Sequence, residues 1–196
     1  MQENFYLPEM LHLIDEPNGS VCRMILEENE TLFKTVQGSA HNHQNWSGGY
    51  WDHVREVMNL AVVLYHATDL LRKLPFSLSD VLLILFLHDL EKPWKYEAGP
   101  DGELRIRKNL DTPDKEHEFK SDRLHRYGVV LTPEHENAMH YIHGELNDYS
   151  IRRRVMGPLA AFCHACDIFS ARIWFDYPKE GFQDSWQPAR RVNSKR

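Results

Sequence analysis

Residues 81–87 are uniformly apolar, and the run ends in His88 and Asp89. A segment that is apolar on all sides belongs in a protein core, either as a helix or as a buried strand. The imidazole and the carboxylate at its end are then drawn inward with it. Because a buried ionised carboxylate is costly unless it is paired or ligates a metal, the sequence raises the question of what this pair binds.

Two further polar residues fall on apolar elements. His53 lies near the start of a predicted long helix, and Asp167 lies inside the apolar stretch 160–169. With His88 and Asp89 they offer two imidazoles and two carboxylates, which suit zinc, manganese, iron, cobalt or nickel. Such a set leaves coordination positions open for water and substrate, as a catalytic metal site needs. Periodicity alone equally allows four dispersed residues with ordinary buried hydrogen bonds.

Periodicity divides most of the chain into helices. We favour a helix at 78–90 over a parallel strand at 81–87, because leucine outnumbers the β-branched residues and the neighbouring elements are helical. Gly48 and Gly49 open the longest helix. The predicted helices cover residues 21–34, 50–73, 78–90, 115–127, 133–146 and 155–175.

Residues typical of N-caps lie at the N-terminal ends of three of these predicted helices. Residues 18–20 can cap the first helix, and Ser77 with Asp80 forms an N-cap and N3 pair for the buried helix. Thr132 followed by Pro133 is an N-cap with proline at the first helical position. Caps and periodicity together predict an all-α fold of about six helices.

The chain shows no internal repeat and no linker. Residues 98–102 form a turn whose flanks can pair as a small hairpin near 95–106. We expect one domain over 1–180, with its core at about 33–177, followed by a polar, basic tail at 181–196.

Composition narrows the class of protein. The 196 residues are 42% hydrophobic and 27% charged, with a net charge of −6, which argues against a dedicated duplex-binding protein. A small phosphorylated ligand needs only a local cationic pocket. Neither a secretory signal nor a membrane span is apparent, and three cysteines give no disulfide framework, so we expect a cytoplasmic protein. The composition is also compatible with a homo-oligomer.

One order of residues carries a family resemblance. The series His53, His88-Asp89 and Asp167 resembles the H…HD…D hallmark of the HD-domain superfamily of metal-dependent phosphohydrolases, which are all-helical. The segment 43–53 resembles the H-x-x-[YW]-x-G-G-x-x-x-H motif of several HD families, including 3′–5′ exoribonucleases. The resemblance covers roughly residues 33–177 and is nearest to small HD proteins of phage and bacterial nucleotide metabolism.

The resemblance implies a role for each matched residue. Lys92 completes an H-D-x-x-K form and would point its ammonium at a phosphate. Many nucleotidase members carry a glutamate there to orient water; here Glu91 lies one position earlier, and Pro93 can end the helix so that Glu91 reaches the site. The implied catalytic residues are Asp89, Lys92 and Glu91. The implied metal ligands are His53, His88, Asp89 and Asp167.

Binuclear HD families place two more histidines between the HD pair and the last aspartate. His117, His140 and His143 have suitable separations, but the usual His-His-Gly-Glu sequence appears here as Ile-His-Gly-Glu at 142–145. His117 also lies in a polar run typical of a solvated helix face. We therefore expect one tightly held divalent transition metal (Mn, Co, Zn, Ni or Fe), with a second ion weak or supplied with the substrate.

Three residues are candidates for substrate contact besides Lys92. His43 matches the first histidine of the motif and could contact a phosphate. Trp46 could stack on a base, and Arg172 could clamp a phosphate. A loop histidine without a role, aromatic packing and a solvated arginine are the competing interpretations.

These observations predict a metal-dependent phosphohydrolase that cleaves a small nucleotide, such as a nucleoside mono- or triphosphate, with a metal-activated water. A phosphodiesterase or 3′–5′ exonuclease acting on oligonucleotides is one alternative. A di-iron HD oxygenase, which needs six protein ligands, is another. A non-catalytic nucleotide-binding module is a third.

Overall fold

The computed structural model describes residues 4–39, 42–98 and 104–177, together with Trp186. Within these residues, six helices of nine residues or more form an all-α bundle, as predicted, and the only sheet is a two-stranded antiparallel hairpin. The elements are α1 (Leu7–Met10), α2 (Asn18–Phe33), α3 (Gly49–Leu71), α4 (Leu78–Leu87), α5 (Lys92–Lys95), β1 (Tyr96–Ala98), β2 (Leu104–Ile106), α6 (Pro113–Tyr127), α7 (Pro133–Tyr141) and α8 (Pro158–Ile168).

Helix α4 lies at the centre of the bundle. Residues 81–87 are each at most 2% exposed, and the helix packs against α2, α3, α7 and α8. A helix surrounded in this way must be apolar on every face, and each large aliphatic side chain it buries contributes about 1.5–3 kcal/mol. The helical interpretation of this segment is therefore confirmed and the strand alternative is wrong, although the helix ends at Leu87, earlier than predicted.

The N-terminal ends of α4 and α7 share one capping network. Ser77 donates from its backbone and its hydroxyl to Asp80 Oδ2, at 2.8 and 2.7 Å, and Asp80 N donates back to Ser77 Oγ. Thr132 caps α7 and donates from its N–H to His135 Nδ1. His135 Nε2 therefore carries the proton and donates it to Asp80 Oδ1 at 2.8 Å. Both predicted caps are confirmed.

The first long helix begins earlier than predicted. Asn18 is not part of a cap but the first residue of α2, which follows Pro17. The Asn18 side chain instead holds the backbone of Val130, donating from Nδ2 at 2.7 Å and accepting at Oδ1 at 2.9 Å. Asparagine favours helix ends by bonding to nearby backbone, but here a distant segment takes both bonds.

Helices α7 and α8 are shorter than predicted. Helix α7 ends at Tyr141. Gly144, in the segment that follows, has a φ of 107°, a backbone conformation that residues with a Cβ rarely adopt. The last helix starts at Pro158, and its α-helical part ends at Ile168. Residues Phe169–Ile173 continue as a π-helical turn, a feature often found at functional sites.

The predicted hairpin is present. Tyr96 pairs with Ile106 in the antiparallel register that joins β1 and β2. The predicted turn residues 99–102 and the predicted tail 181–196, apart from Trp186, lie outside the described residues. Among the described helices, none combines the length and the apolar character needed to cross a bilayer.

The capping network predicts a pH-dependent contribution to stability. Partial burial alone would raise the pKa of Asp80, but hydrogen bonds from Ser77 and His135 outweigh it and hold the pKa below its usual range. Because folding favours the ionised form, the contribution is present above about pH 4 and is lost as the pH falls through the lowered pKa. We expect Asp80→Asn to lower the free energy of unfolding by about 1 kcal/mol at pH 7.

Urea denaturation of both proteins between pH 7 and pH 3 measures this difference. The gap between them should shrink as the wild-type carboxylate is protonated. A gap that stays constant over the whole range would contradict an ionic role for Asp80.

Candidate metal centre

Three helices bring four polar side chains together in the core. His53 comes from the first turns of α3, His88 and Asp89 come from the turn that follows α4, and Asp167 comes from the end of α8. All four are buried, and both histidines are fully so. Because α3, α4 and α8 each pack against the other two, their packing fixes where these side chains meet.

The side-chain atoms lie at distances that suit metal ligation. The Nε2 atoms of His53 and His88 are 3.2 Å apart, and Asp167 Oδ1 lies 3.3 Å from the first and 3.8 Å from the second. Asp89 Oδ2 lies 3.5 and 3.1 Å from the same two nitrogens. Ligand atoms on a tetrahedron about 2.0–2.1 Å from an ion would be about 3.3 Å apart, so His53, His88 and Asp167 form a group that could hold one.

The protonation of the two rings supports the same conclusion. His88 Nδ1 donates to the carbonyl of Leu85 at 2.8 Å. When the ring is neutral, His88 Nε2 is therefore unprotonated and carries a free lone pair. His53 Nδ1 lies 2.9 Å from Ser170 Oγ, so its Nε2 also faces the cluster. Two lone pairs at 3.2 Å repel each other unless a proton or a cation lies between them. The residues therefore fit a divalent metal.

Burial and charge shift the pKa values of the cluster. Burial lowers the pKa of His53, whereas for His88 the neighbouring Asp89 outweighs burial and raises the pKa. Burial alone would raise the pKa of Asp89 and Asp167, but the surrounding imidazoles outweigh it, helped by Lys92 in the case of Asp89, and hold both far below their usual range. Both carboxylates are therefore ionised near neutral pH, as metal ligands must be.

Lys92 lies beside the cluster. Its Nζ is 2.5 Å from Asp89 Oδ2, and its side chain is 16% exposed. Burial alone would lower the pKa of Lys92, but Asp89 outweighs it and raises the pKa, so the ammonium stays charged. The contact with Asp89 was not part of the predicted role, which directed this ammonium at a phosphate.

Glu91 belongs to a separate ion pair. Lys120 of α6 places its Nζ 3.4 Å from Glu91 Oε2 and donates to the backbone carbonyl of His88 at 2.5 Å. Residues 88–91 form a turn between α4 and α5 rather than a continuing helix, which is why Glu91 faces α6. This pair ties α6 to the end of α4 and gives Glu91 a structural role that the sequence did not indicate.

Only one of the three histidines proposed for a second metal reaches the cluster. His143 Nε2 lies 3.5 Å from Asp89 Oδ1, and its ring is 5.8 Å from that of His88. These three side chains form a second group that could hold an ion. His140 is exposed and faces Asp148 at 3.5 Å, so it does not join the cluster, and His117 is exposed on α6, as its polar run indicated. The early end of α7 turns His143, but not His140, toward the core.

The residues predicted to contact substrate have different environments. The His43 ring lies 4.9 Å from that of His53, and its Nδ1 is 2.6 Å from Gln44 Oε1. Burial, together with the charges of His53 and Lys92, lowers the pKa of His43 to about 4. Trp46 is 4% exposed and donates its indole N–H to Asp52, which agrees with packing and not with base stacking at a pocket mouth.

Arg172 is exposed on the π-helical turn. Within the described part of the chain it forms no ion pair with the carboxylates of the cluster. Its predicted phosphate contact therefore receives no support from this arrangement.

Sequence reasoning missed the residues behind His53. Gln44, Glu56 and Ser170 are buried and hydrogen-bonded to one another next to that ring. Glu56 carries a usable signal, since it lies three residues after His53 and therefore shares its helix face. Ser170 carries none, because its position depends on the π-helical turn.

No protein-family model matches the chain, and no curated protein or solved structure matches it either. The resemblance to the HD-domain superfamily therefore rests on the motif residues themselves. Their convergence in the core of an all-α bundle is what such a resemblance would require.

The loop before α3 depends on a pair of glycines. Gly48 has φ of 83°, and a Cβ on Gly49 would lie 1.8 Å from the carbonyl oxygen of Gln44. We expect Gly49→Ala to displace this loop and to cost about 3 kcal/mol or more of unfolding free energy. Gly128→Ala is the matched control: φ there is 77° but the space is open, so the cost should be about 1 kcal/mol.

Thermal and urea denaturation of the two variants measure this difference. Equal losses of stability in the two variants would show that the close approach of Gly49 to Gln44 is unimportant.

Proposed function

We propose that this protein is a metal-dependent phosphohydrolase that acts on a small nucleotide. The observation that carries the proposal is the pair of buried imidazoles whose Nε2 atoms face each other between two ionised carboxylates. A divalent ion bound there would act as a Lewis acid that polarises a phosphoryl oxygen and lowers the pKa of water. The H…HD…D order and the accompanying lysine support phosphate as the substrate group.

The charges of the cluster suit an anionic substrate only in the metal-loaded protein. Asp89 and Asp167 outweigh the single ammonium of Lys92 when the ligand histidines are neutral, so the net charge is negative. A divalent ion reverses that sign. Metal binding and phosphate binding are therefore expected to be coupled, with the ion first.

Each neighbouring residue has a distinct task in this proposal. Asp89 and Asp167 hold negative charge at fixed positions and can accept hydrogen bonds from water. Lys92 stabilises the charge that develops on the transferred phosphoryl group. His43, neutral at physiological pH, can accept a hydrogen bond at the edge of the cluster. Asp167, Lys92 and His143 keep 12%, 16% and 50% of their side chains exposed, which gives a substrate a route to the cluster.

The alternatives receive less support. A di-iron oxygenase needs six protein ligands, and the described residues bring five together: His53, His88, Asp89, His143 and Asp167. A phosphodiesterase or exonuclease uses the same metal chemistry but holds a longer polyanion, which the acidic net charge of −6 disfavours. A silent nucleotide-binding module would not need an intact ligand set.

Metal analysis and a substrate screen test the proposal together. We expect the purified protein to bind a divalent transition metal and to release phosphate or nucleoside from a nucleotide when manganese, cobalt or zinc is supplied. Asp89→Ala should lose both the metal and the activity, because it removes a carboxylate that lies 3.5 and 3.1 Å from the Nε2 atoms of His53 and His88 and also faces His143. His140→Ala is the matched control, since that histidine is exposed and should change neither.

Two results would contradict the proposal. One is a protein with bound metal that hydrolyses no phosphorylated substrate. The other is an Asp89→Ala variant that keeps either its metal or its activity. Hydrolysis restricted to oligonucleotides would instead favour the phosphodiesterase alternative.

Lys92 provides a second, directional test. Its ammonium lies against Asp89 and repels a cation, so Lys92→Met should bind metal more tightly while losing phosphate stabilisation. A charge-assisted hydrogen bond of about 1.5–3 kcal/mol corresponds to a loss of about 10–100-fold in kcat/KM.

Lys95→Met is the control for this variant. Lys95 lies on the same short helix but pairs with Glu116 at 2.7 Å. Titration with zinc and steady-state kinetics should show both effects in Lys92→Met alone. Weaker metal binding in Lys92→Met would contradict the assigned contact.

A further inference from the structure

The hydroxyl of Ser170 joins the end of the bundle to α3. Ser170 lies in the π-helical turn after Asp167 and is fully buried. Its Oγ donates to Glu56 Oε1 at 2.6 Å and lies 3.1 Å from Gln44 Nε2 and 2.9 Å from His53 Nδ1. We refer to Gln44, Glu56 and Ser170 as the orienting network.

The hydrogen bonds that Glu56 accepts determine where the protons of this network lie. An ionised carboxylate only accepts, and Glu56 Oε1 receives both the Ser170 hydroxyl and Gln44 Nε2. A hydroxyl has one proton, which Ser170 has then used. Every other bond at Ser170 Oγ must therefore be one that it accepts, so His53 Nδ1 carries a proton, and in the neutral ring its Nε2 does not.

The same carboxylate decides the orientation of Gln44. If the amide were flipped, its oxygen would face Glu56 Oε1 at 3.2 Å, and two acceptors would repel each other. With Nε2 toward Glu56, Gln44 Oε1 faces His43 Nδ1 at 2.6 Å and only accepts. His43 therefore also carries its proton on Nδ1.

The backbone holds Gln44 in this position. Its N–H donates to the carbonyl of Phe175 at 2.9 Å, and its carbonyl accepts from Gly38 N at 3.0 Å. Its φ of 41° is unusual for a residue with a side chain, and such strain persists only where the surroundings enforce it. The amide therefore presents a fixed face to His43 and to Ser170, which in turn contacts His53.

We propose that Glu56, acting through Ser170 and Gln44, fixes both His53 and His43 as Nδ1–H tautomers, and so keeps the Nε2 lone pair of His53 directed at the metal centre. These three are positioning residues, since none of them contacts the ion's proposed ligand atoms. The effect on metal binding rests on the proposed function, whereas the tautomers themselves do not. Groups that orient a ligand histidine typically change metal affinity by about 10–100-fold when they are removed.

His88 serves as an internal control. The backbone carbonyl of Leu85 fixes its tautomer, at 2.8 Å from Nδ1, and the orienting network does not include this ring. A change in the network should therefore alter the His53 and His43 rings and leave His88 as it is.

Nitrogen-15 NMR of the histidine rings in the full-length, chelator-treated protein tests the tautomers directly. In the wild type, His43 and His53 should each show a protonated Nδ1 and an unprotonated Nε2. Ser170→Ala should shift His53 to a mixture of tautomers, and Gln44→Met should do the same for His43 while His53 keeps its form. Ser170→Thr, which retains the hydroxyl, should behave like the wild type at His53.

Zinc titration of the same proteins supplies the second measurement. Ser170→Ala should bind zinc about 10–100-fold more weakly than the wild type. Asn18→Ala is the stability control, because it removes two hydrogen bonds to Val130 without touching the centre, and its zinc affinity should not change.

The outcomes separate this inference from the proposed function. Unchanged His53 tautomers in Ser170→Ala, or an unchanged zinc affinity despite altered tautomers, would overturn the inference while leaving phosphohydrolase activity intact. A wild type that hydrolyses no nucleotide would overturn the proposed function, and the ring signals would still decide the tautomers. If Ser170→Ala does not fold, the tautomer of His43 in Gln44→Met tests the inference instead, and an unchanged His43 tautomer in that variant would overturn it.

Discussion

The structure depends on how two ionised carboxylates are kept in the core. Moving a carboxylate out of water costs several kcal/mol even after the protein relaxes, and Asp89 and Asp167 are both largely buried. One ammonium and two imidazoles surround them and compensate part of that cost. The mutual packing of α3, α4 and α8 makes this compensation possible, because each of the three helices, or the turn that follows it, supplies a member of the cluster.

The compensation is arranged in layers. Ligand atoms face the centre, and a hydrogen-bond acceptor stands behind each ring: a backbone carbonyl for His88, and the Ser170 hydroxyl backed by Glu56 for His53. Next to His88, Lys120 forms an ion pair with Glu91 and donates a hydrogen bond to the backbone carbonyl of His88. Removing any one group would leave another buried charge or dipole without a partner, which is why such networks are strongly cooperative.

The sequence predicted the elements better than their ends. Apolar periodicity and the Ser77–Asp80 cap were sufficient to place α4 as a buried helix, because both signals are local. The part played by His135 in that cap could not be predicted, since it comes from a helix that is distant in sequence. Asn18 was misassigned for the same reason: its side chain bonds to Val130, and a local cap was only one of the available partners.

The candidate site, too, could be predicted from the sequence only in part. Periodicity alone left open whether His53, His88-Asp89 and Asp167 meet, and the resemblance carried by their order predicted that they do. Spacing along the chain could not separate His140 from His143 as a candidate for a second metal, because it does not give direction, and only His143 lies beside Asp89. Ser170 could not be anticipated, because a π-helical turn has no reliable sequence signal.

The complete burial of α4 has a consequence for the dynamics of the centre. A helix without a polar face cannot detach and remain solvated, so local opening at its C-terminal end would expose much of the core. The amide hydrogens of the last turn of α4 and of His88 are therefore expected to exchange with solvent only when the whole bundle unfolds. His88 and Asp89, at the end of this helix, are thereby tied to the stability of the whole fold, while the ring of His143 is half exposed at the edge of the cluster.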